Sequence, residues 1–134
     1  MDKKIDINKP HRQYTRVKDK LAIYYKTDTM HNFKGTMIND ISGGGIQLVL
    51  NDKLAIGTPL SISINIPGSH KPIEVKGEVR NYEREKNKTS EGGNSPYLIG
   101  IEFIEICLSD RMMIIDYVHS IIRDNVKNPD ESKN

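Results

Sequence analysis

Short runs in which apolar and polar residues alternate dominate this chain. The clearest is Leu60-Ser61-Ile62-Ser63-Ile64-Asn65-Ile66, where every second residue is apolar, the period of a strand with one buried face. After turn residues Pro67-Gly68-Ser69-His70, Ile73-Glu74-Val75-Lys76-Gly77-Glu78-Val79 repeats the pattern. Upstream, the β-branched and aromatic residues between Lys20 and Lys26 predict a first strand, closed by a turn at Thr27-Asp28. Residues Phe33 to Ile38 and Gly45 to Leu50 predict two more, separated by Asn39-Asp40-Ile41-Ser42-Gly43-Gly44, a turn composition that a helix would not tolerate. A polar stretch from Glu83 to Ser95, containing Gly92-Gly93-Asn94, reads as a long mobile hairpin loop, and Tyr97 to Ile104 forms the last strand. Six short strands in about 85 residues, with Gly, Pro and Asn turns and no intervening helices, predict an all-β fold, a six-stranded antiparallel β-barrel.

The period then changes. With Ser109 as N-cap, residues Asp110 to Asn125 predict a C-terminal α-helix that places Met112, Ile115, Val118 and Ile122 on one stripe, with Ile114, Tyr117 and Ile121 beside it. That face is broad enough to close the barrel and also to meet a second copy, so a homodimer through this helix is expected. The predicted organisation is a flexible basic N-terminal arm over residues 1–10, a barrel domain with its closing helix over 11–125, and a disordered polar tail over 126–134.

Composition narrows the class. The chain has 134 residues, 36% of them hydrophobic and 28% charged, with no Trp and two Phe, which suits one soluble domain with a single aliphatic core. No apolar run approaches the ~20 residues of a membrane span, and the first residues lack the apolar segment of a secretion signal, so a cytoplasmic protein without membrane insertion is expected. Cys107 is the sole cysteine. Within the apolar run from Ile104 to Leu108 it reads as a buried, inert thiol, and it excludes an intrachain disulfide. The formal charge is +2, but residues 1 to 20 hold seven basic and three acidic side chains. Such an arm can be a solvated tail, a weak nucleic-acid or membrane contact, or the cationic half of a site for an anionic ligand.

No catalytic constellation assembles. His11, His31, His70 and His119 are dispersed, without partners at metal-ligand spacing, and no nucleophile stands with a base, so neither an enzyme nor a metal protein is expected. Gly43-Gly44-Gly45 is followed by Ile46-Gln47 and leads into a strand, which excludes a nucleoside-triphosphate loop. By itself the run reads as a hairpin with positive φ angles more readily than as a site.

Two patterns alter that reading when taken together. Arg12-Gln13-Tyr14-Thr15-Arg16 stands before the first strand as R-x-x-x-R, and Asp40-Ile41-Ser42-Gly43-Gly44-Gly45 stands between the second and third strands as D-x-S-x-x-G. In this order and on these elements they resemble the PilZ domain family. The resemblance covers roughly residues 11 to 120, with the six-strand rhythm, Gly100-Ile101-Glu102-Phe103 on the last strand and a closing helix.

The resemblance implies a receptor for cyclic di-GMP that needs no other cofactor. Arg12 and Arg16 would meet phosphates and guanine edges through paired donors, Asp40 would accept from guanine N1–H and the exocyclic amine, and Ser42 would donate to a phosphate or base edge. Gly45 would stand where a side chain would force the turn open or strike the ligand, and His11, Gly43, Gly44 and Gly100 would add contacts. Family members often carry a further arginine where this chain has His11. A histidine can stack on guanine but carries less charge at neutral pH, which leaves affinity, and the choice between one bound molecule and a stacked pair, open.

A nucleic-acid polymer would call for exposed aromatics, and the aromatic content is 6%. A receptor without an output domain would signal in trans, in motility or biofilm regulation, to a flagellar, pilus, polysaccharide-synthesis or regulatory protein partner. The alternative is a module of the same fold that docks to a partner and binds the nucleotide weakly or not at all. The arm supplies the expected switch: free residues 1–19 have little to pack against, and the ligand orders residues 10 to 18 as a clasp.

Overall fold

The structure is a computed structural model that describes residues 14–84 and 95–127. Seven strands and one helix follow in chain order: β1 (Arg16–Lys18), β2 (Ala22–Thr27), β3 (Lys34–Ser42), β4 (Gly45–Leu50), β5 (Pro59–Ile64), β6 (Ile73–Arg84), β7 (Tyr97–Glu105) and α1 (Leu108–Lys127). The period-two segments bury the expected residues. Leu60, Ile62 and Ile64 of β5, and Ile73, Val75 and Val79 of β6, all enter one core. All strand pairs are antiparallel. β3 pairs with β2 on one side and β4 on the other, while β2–β5–β6–β7–β4 completes the circuit, so strands β2 to β7 form a closed six-stranded barrel. Closure leaves none of these six strands with an unpaired edge along its ladder.

β1 is a seventh strand that the hydrophobic pattern did not reveal. β2 occupies the edge of β3 from Lys34 to Met37, and β1 takes up the same edge from Asp40 to Ser42. Three residues with one apolar member, Val17, carry too little periodicity to be read as a strand. Their pairing places this part of the expected arm on the barrel as a strand. Residues 1–13 of that arm lie outside the described residues.

β3 also runs further than predicted, through Asn39-Asp40-Ile41-Ser42, leaving Gly43-Gly44 as a two-residue turn. Ile38 and Ile41 are three residues apart, a separation that would put them on opposite faces of a regular strand. A register shift between Ile38 and Asp40 adds one residue to β3, and both isoleucines become core residues. β6 repeats the device. A shift between Val79 and Asn81 restores the phase, so the ladder continues to Arg84 opposite Tyr97, and Glu83 and Arg84 belong to the strand and not to the loop. Tyr82 and Tyr97 meet edge to face there, and the Arg84 guanidinium lies 4.6 Å from the Tyr97 ring centre. The loop residues 85–94 lie outside the described part.

The helix packs against β1 and β3. It begins at Leu108, so Ser109 falls in the first turn and not at the cap, and the Arg111 N–H already bonds the Cys107 carbonyl at 3.0 Å. Its buried stripe is centred on Ile114 and Val118, one turn apart, whereas Met112 is 47% exposed. Cys107 is exposed: in the connection beyond β7 it is Ile106 that packs against the core, and its neighbour Cys107 faces away. At the far end Val126 and Lys127 extend α1, and residues 128–134 of the expected tail lie outside the described residues. No helix among the described residues is long and apolar enough to cross a membrane. Tyr117 donates a hydrogen bond to Asp19 in the β1–β2 connection, which ties helix to strand.

Two outcomes follow from this packing. Ile114→Ala should cost about 2–5 kcal/mol in guanidinium unfolding, and Met112→Ala should stay within about 0.5 kcal/mol of the parent. Burial first, and then the Asp19 carboxylate, raise the Tyr117 phenol pKa. A raised folded-state pKa contributes stability that is fully present below the unfolded value of about 10 and lost as pH climbs toward the folded one. The stability gap between parent and Tyr117→Phe should therefore be constant up to about pH 10 and shrink above it; a gap that ignores pH would contradict the bond.

Candidate functional site

The site is a consequence of strand alternation. Ile41 is fully buried, so its neighbours Asp40 and Ser42 project to the opposite, outer side of β3. β1 lies antiparallel beside them with Val17 opposite Ile41, which sets Arg16 across from Ser42 and Lys18 across from Asp40. The same register continues around the barrel. One row runs Lys18, Asp40, Gln47, Gly100, Asn81, and the next runs Arg16, Ser42, Gly45, Glu102, Glu78. Five of the expected site residues, Arg16, Asp40, Ser42, Gly45 and Gly100, thus fall on two adjacent rows of one outer face.

Arg16 Nη1 stands 3.7 Å from Asp40 Oδ2. The arginine side chain is 35% exposed and the aspartate 10%, so the carboxylate is sheltered while part of the guanidinium fork faces outward. Such a half-exposed pair adds little to stability, roughly 0–1 kcal/mol, and its geometry matters more than its energy. Ser42 Oγ accepts the Gly44 N–H at 3.1 Å, closing the turn from within. Beyond Gln47, which accepts a 2.6 Å hydrogen bond from Asn39, the Asn81 side chain lies across Gly100. On the second row Arg80 pairs with Glu102 at 2.5 Å and with Glu78 at 3.6 Å.

Backbone handedness does not explain the three glycines of the turn. None has a positive φ; among the described residues only Gly57 and Gly68 do. A Cβ on Gly45 would run into the Ile101 carbonyl oxygen of β7, so the glycine allows the close approach of β4 and β7. The Phe103 N–H bonds the Gly44 carbonyl at 2.9 Å and ties the turn to β7. A Cβ on Gly43 would press on Ile115 at 2.7 Å and on Tyr14 at 3.0 Å, and one on Gly44 would meet Tyr14 at 3.0 Å, because the Tyr14 ring lies over both.

Arg111 completes this arrangement. Its Nη1 donates to the Gly43 carbonyl at 2.9 Å, and its guanidinium lies 5.2 Å from the Tyr14 ring centre. Neither residue stood out in the sequence, although each carried a signal. Tyr14 lies inside the R-x-x-x-R segment, and Arg111 puts a cation in the first turn of a helix, where the macrodipole disfavours one. Arg12 and His11 lie outside the described residues.

What this face offers is a guanidinium, a sheltered carboxylate, a hydroxyl and small residues, a set suited to holding a polar anionic ligand. Among the described residues no group of three or more His, Cys, Asp and Glu is placed to hold a metal. A groove of about 800 Å³ lies elsewhere, against the outer side of β5 and β6 and the start of α1, with Ser61, Glu74, Lys76, Ile104, Cys107 and Asp110 in its walls.

The sequence matches the model of the PilZ domain over residues 10–120. A search of curated proteins returned no match. Among solved structures, the chain is similar to the Bacillus subtilis inhibitor of motility MotI/DgrA, with a TM-score of 0.68 and 24% identity over 88% of this chain and 52% of that one. It is similar to the PilZ domain with c-di-GMP of YcgR from Escherichia coli, with a TM-score of 0.67 and 14% identity over 90% of this chain and 98% of that one. It is also similar to the K. pneumonia MrkH–c-di-GMP complex, with a TM-score of 0.67 and 16% identity over 89% of this chain and 56% of that one. The chain thus spans about half the length of the MotI and MrkH chains, and all of these likenesses concern the fold. With the family's model matching most of its length and the barrel, turn and closing helix in place, this chain belongs to the PilZ domain family.

Proposed function

We propose that this protein is a cyclic di-GMP receptor whose ligand lies on the outer face formed by β1, β3 and β4. The observation that carries the reading is the convergence of the two motifs: Arg16 stands 3.7 Å from Asp40, with Ser42 directly across the ladder from Arg16. Arg16 presents paired donors to a phosphate or to the O6/N7 edge of guanine. Asp40 accepts from guanine N1–H and the exocyclic amine, which adenine does not offer. The Ser42 hydroxyl supplies a donor to a remaining oxygen. Structures of the YcgR domain and of MrkH with c-di-GMP support the choice of ligand.

In this reading the protein is a non-catalytic receptor acting in the cytoplasm without another cofactor. The ligand recruits Arg12, with His11 beside it, to a face whose other half β1 has already built. Fixing residues 10 to 13 costs about 1–2 kcal/mol each. Charge-assisted bonds of roughly 1.5–3 kcal/mol each, two per arginine, offset that sum. The combined surface of nucleotide and arm is read in trans by a protein partner in motility or biofilm regulation, and the description of MotI as an inhibitor of motility supports the motility branch. Self-association through α1 belongs to the same proposal, on the strength of exposed Met112, Met113 and Val126.

Titration calorimetry should show saturable cyclic di-GMP binding, weakened about 10- to 100-fold in Arg16→Ala and Asp40→Ala, each of which removes charged hydrogen bonds. The Asp40 variant should also lose discrimination against cyclic di-AMP. Parent-like binding in both variants would refute the site, and no binding by the parent would favour the partner-docking module. In hydrogen exchange, the Val17 and Asp19 amides, which face β3, should be protected in both states, while Arg12 and Gln13 gain protection only with ligand.

A further inference from the structure

The helix holds the candidate site at two points, and both belong to the segment that carries Arg16. Near its start, Arg111 bonds the Gly43 carbonyl at 2.9 Å and lies over the ring of Tyr14, two residues before Arg16. Almost two turns on, Tyr117 bonds Asp19, the residue after Lys18. The two ties bracket β1. Between them Ile115 sits against Gly43, and a cavity of about 230 Å³ lined by Tyr14, Thr15, Gly43, Ile115, Val118 and His119 leaves this seam incompletely filled. Elsewhere the barrel is packed around fully buried isoleucines and leucines and has little freedom to shift.

We infer that α1 is the output element of the nucleotide site and that Arg111 is its positioning residue. The inference rests on the proposed reading of the face as a cyclic di-GMP site. A ligand that takes hold of the Arg16 guanidinium pulls on β1, and Tyr14 and Asp19 move with it. Tyr14 carries Arg111, Asp19 carries Tyr117, and the cavity provides the room in which strand and helix settle into a second packing. Leu108, Met112 and Met113, exposed at the start of the same helix, change their presentation as a result. Coupling of this kind is reciprocal: whatever alters the hold of Arg111 on the turn alters ligand affinity too.

Cys107, the sole cysteine of the chain, is exposed one residue before α1 and reports on the helix without any substitution. A trifluoromethyl probe attached there should give a ¹⁹F resonance that moves in step with cyclic di-GMP saturation, with calorimetry on the same labelled protein measuring occupancy. Arg111→Ala should bind about 5- to 20-fold more weakly and lose the shift. Arg111→Lys, which can still donate to the Gly43 carbonyl, should recover part of both. Tyr117→Phe loses only the hydroxyl that reaches Asp19, and it should attenuate the shift with the fold intact. A labelled parent that binds ligand with an unchanged resonance would overturn the inference, as would an Arg111→Ala protein that shifts like the parent. A parent that takes up no cyclic di-GMP would instead overturn the functional reading, and the inference with it.

Discussion

Every feature of the candidate site depends on three residues of β1 lying in one register against the end of β3. Val17 opposite Ile41 is the anchor, since it faces the one fully buried side chain in that stretch. Because strand side chains alternate, placing Val17 inward forces Arg16 and Lys18 outward, onto the side where Ile41 has already sent Asp40 and Ser42. A slip of one residue would turn Val17 to solvent and bring two cations against the core, so the register is strongly specified despite the shortness of the strand. Apolar burial at one position thus fixes the geometry of charged groups on either side of it.

The turn that follows is constrained from three directions, and this explains its composition better than backbone handedness does. β7 approaches so closely that position 45 has no room for a Cβ, and the Tyr14 ring covers positions 43 and 44. The Arg111 guanidinium then closes over the ring from the helix. The outer face, the turn and the first turn of α1 therefore form one packed unit, with an incompletely filled seam between β1 and the helix.

Much of this was legible in the sequence. The strict alternation in β5 and the first half of β6 located those strands, and the change of period located α1. Arg16, Asp40 and Ser42 were found as motif members before any geometry was known. What escaped has a physical reason in each case. The bulges after Ile38 and Val79 break the period of two, so alternation alone ended β3 and β6 too early. β1 has a single inward residue and no period to detect. Cys107 and Met112 lie in apolar runs whose inward direction depends on where strand gives way to helix, and a shift of one or two positions sends them outward. Arg111 acts on Gly43, far away in the chain, through a contact that no local pattern encodes.

The proposed ligand face is the outer side of β1, β3 and β4, while a groove of about 800 Å³ lies against β5, β6 and the start of α1. Mapping of backbone amide shifts in ¹⁵N-labelled protein during addition of cyclic di-GMP separates the two most directly. The largest changes are expected at Arg16, Lys18, Ser42, Gly44 and Gly45, with Ser61, Glu74 and Lys76 nearly still. Changes concentrated at Ser61, Glu74 and Lys76, with the Gly43-Gly44 turn silent, would contradict that assignment.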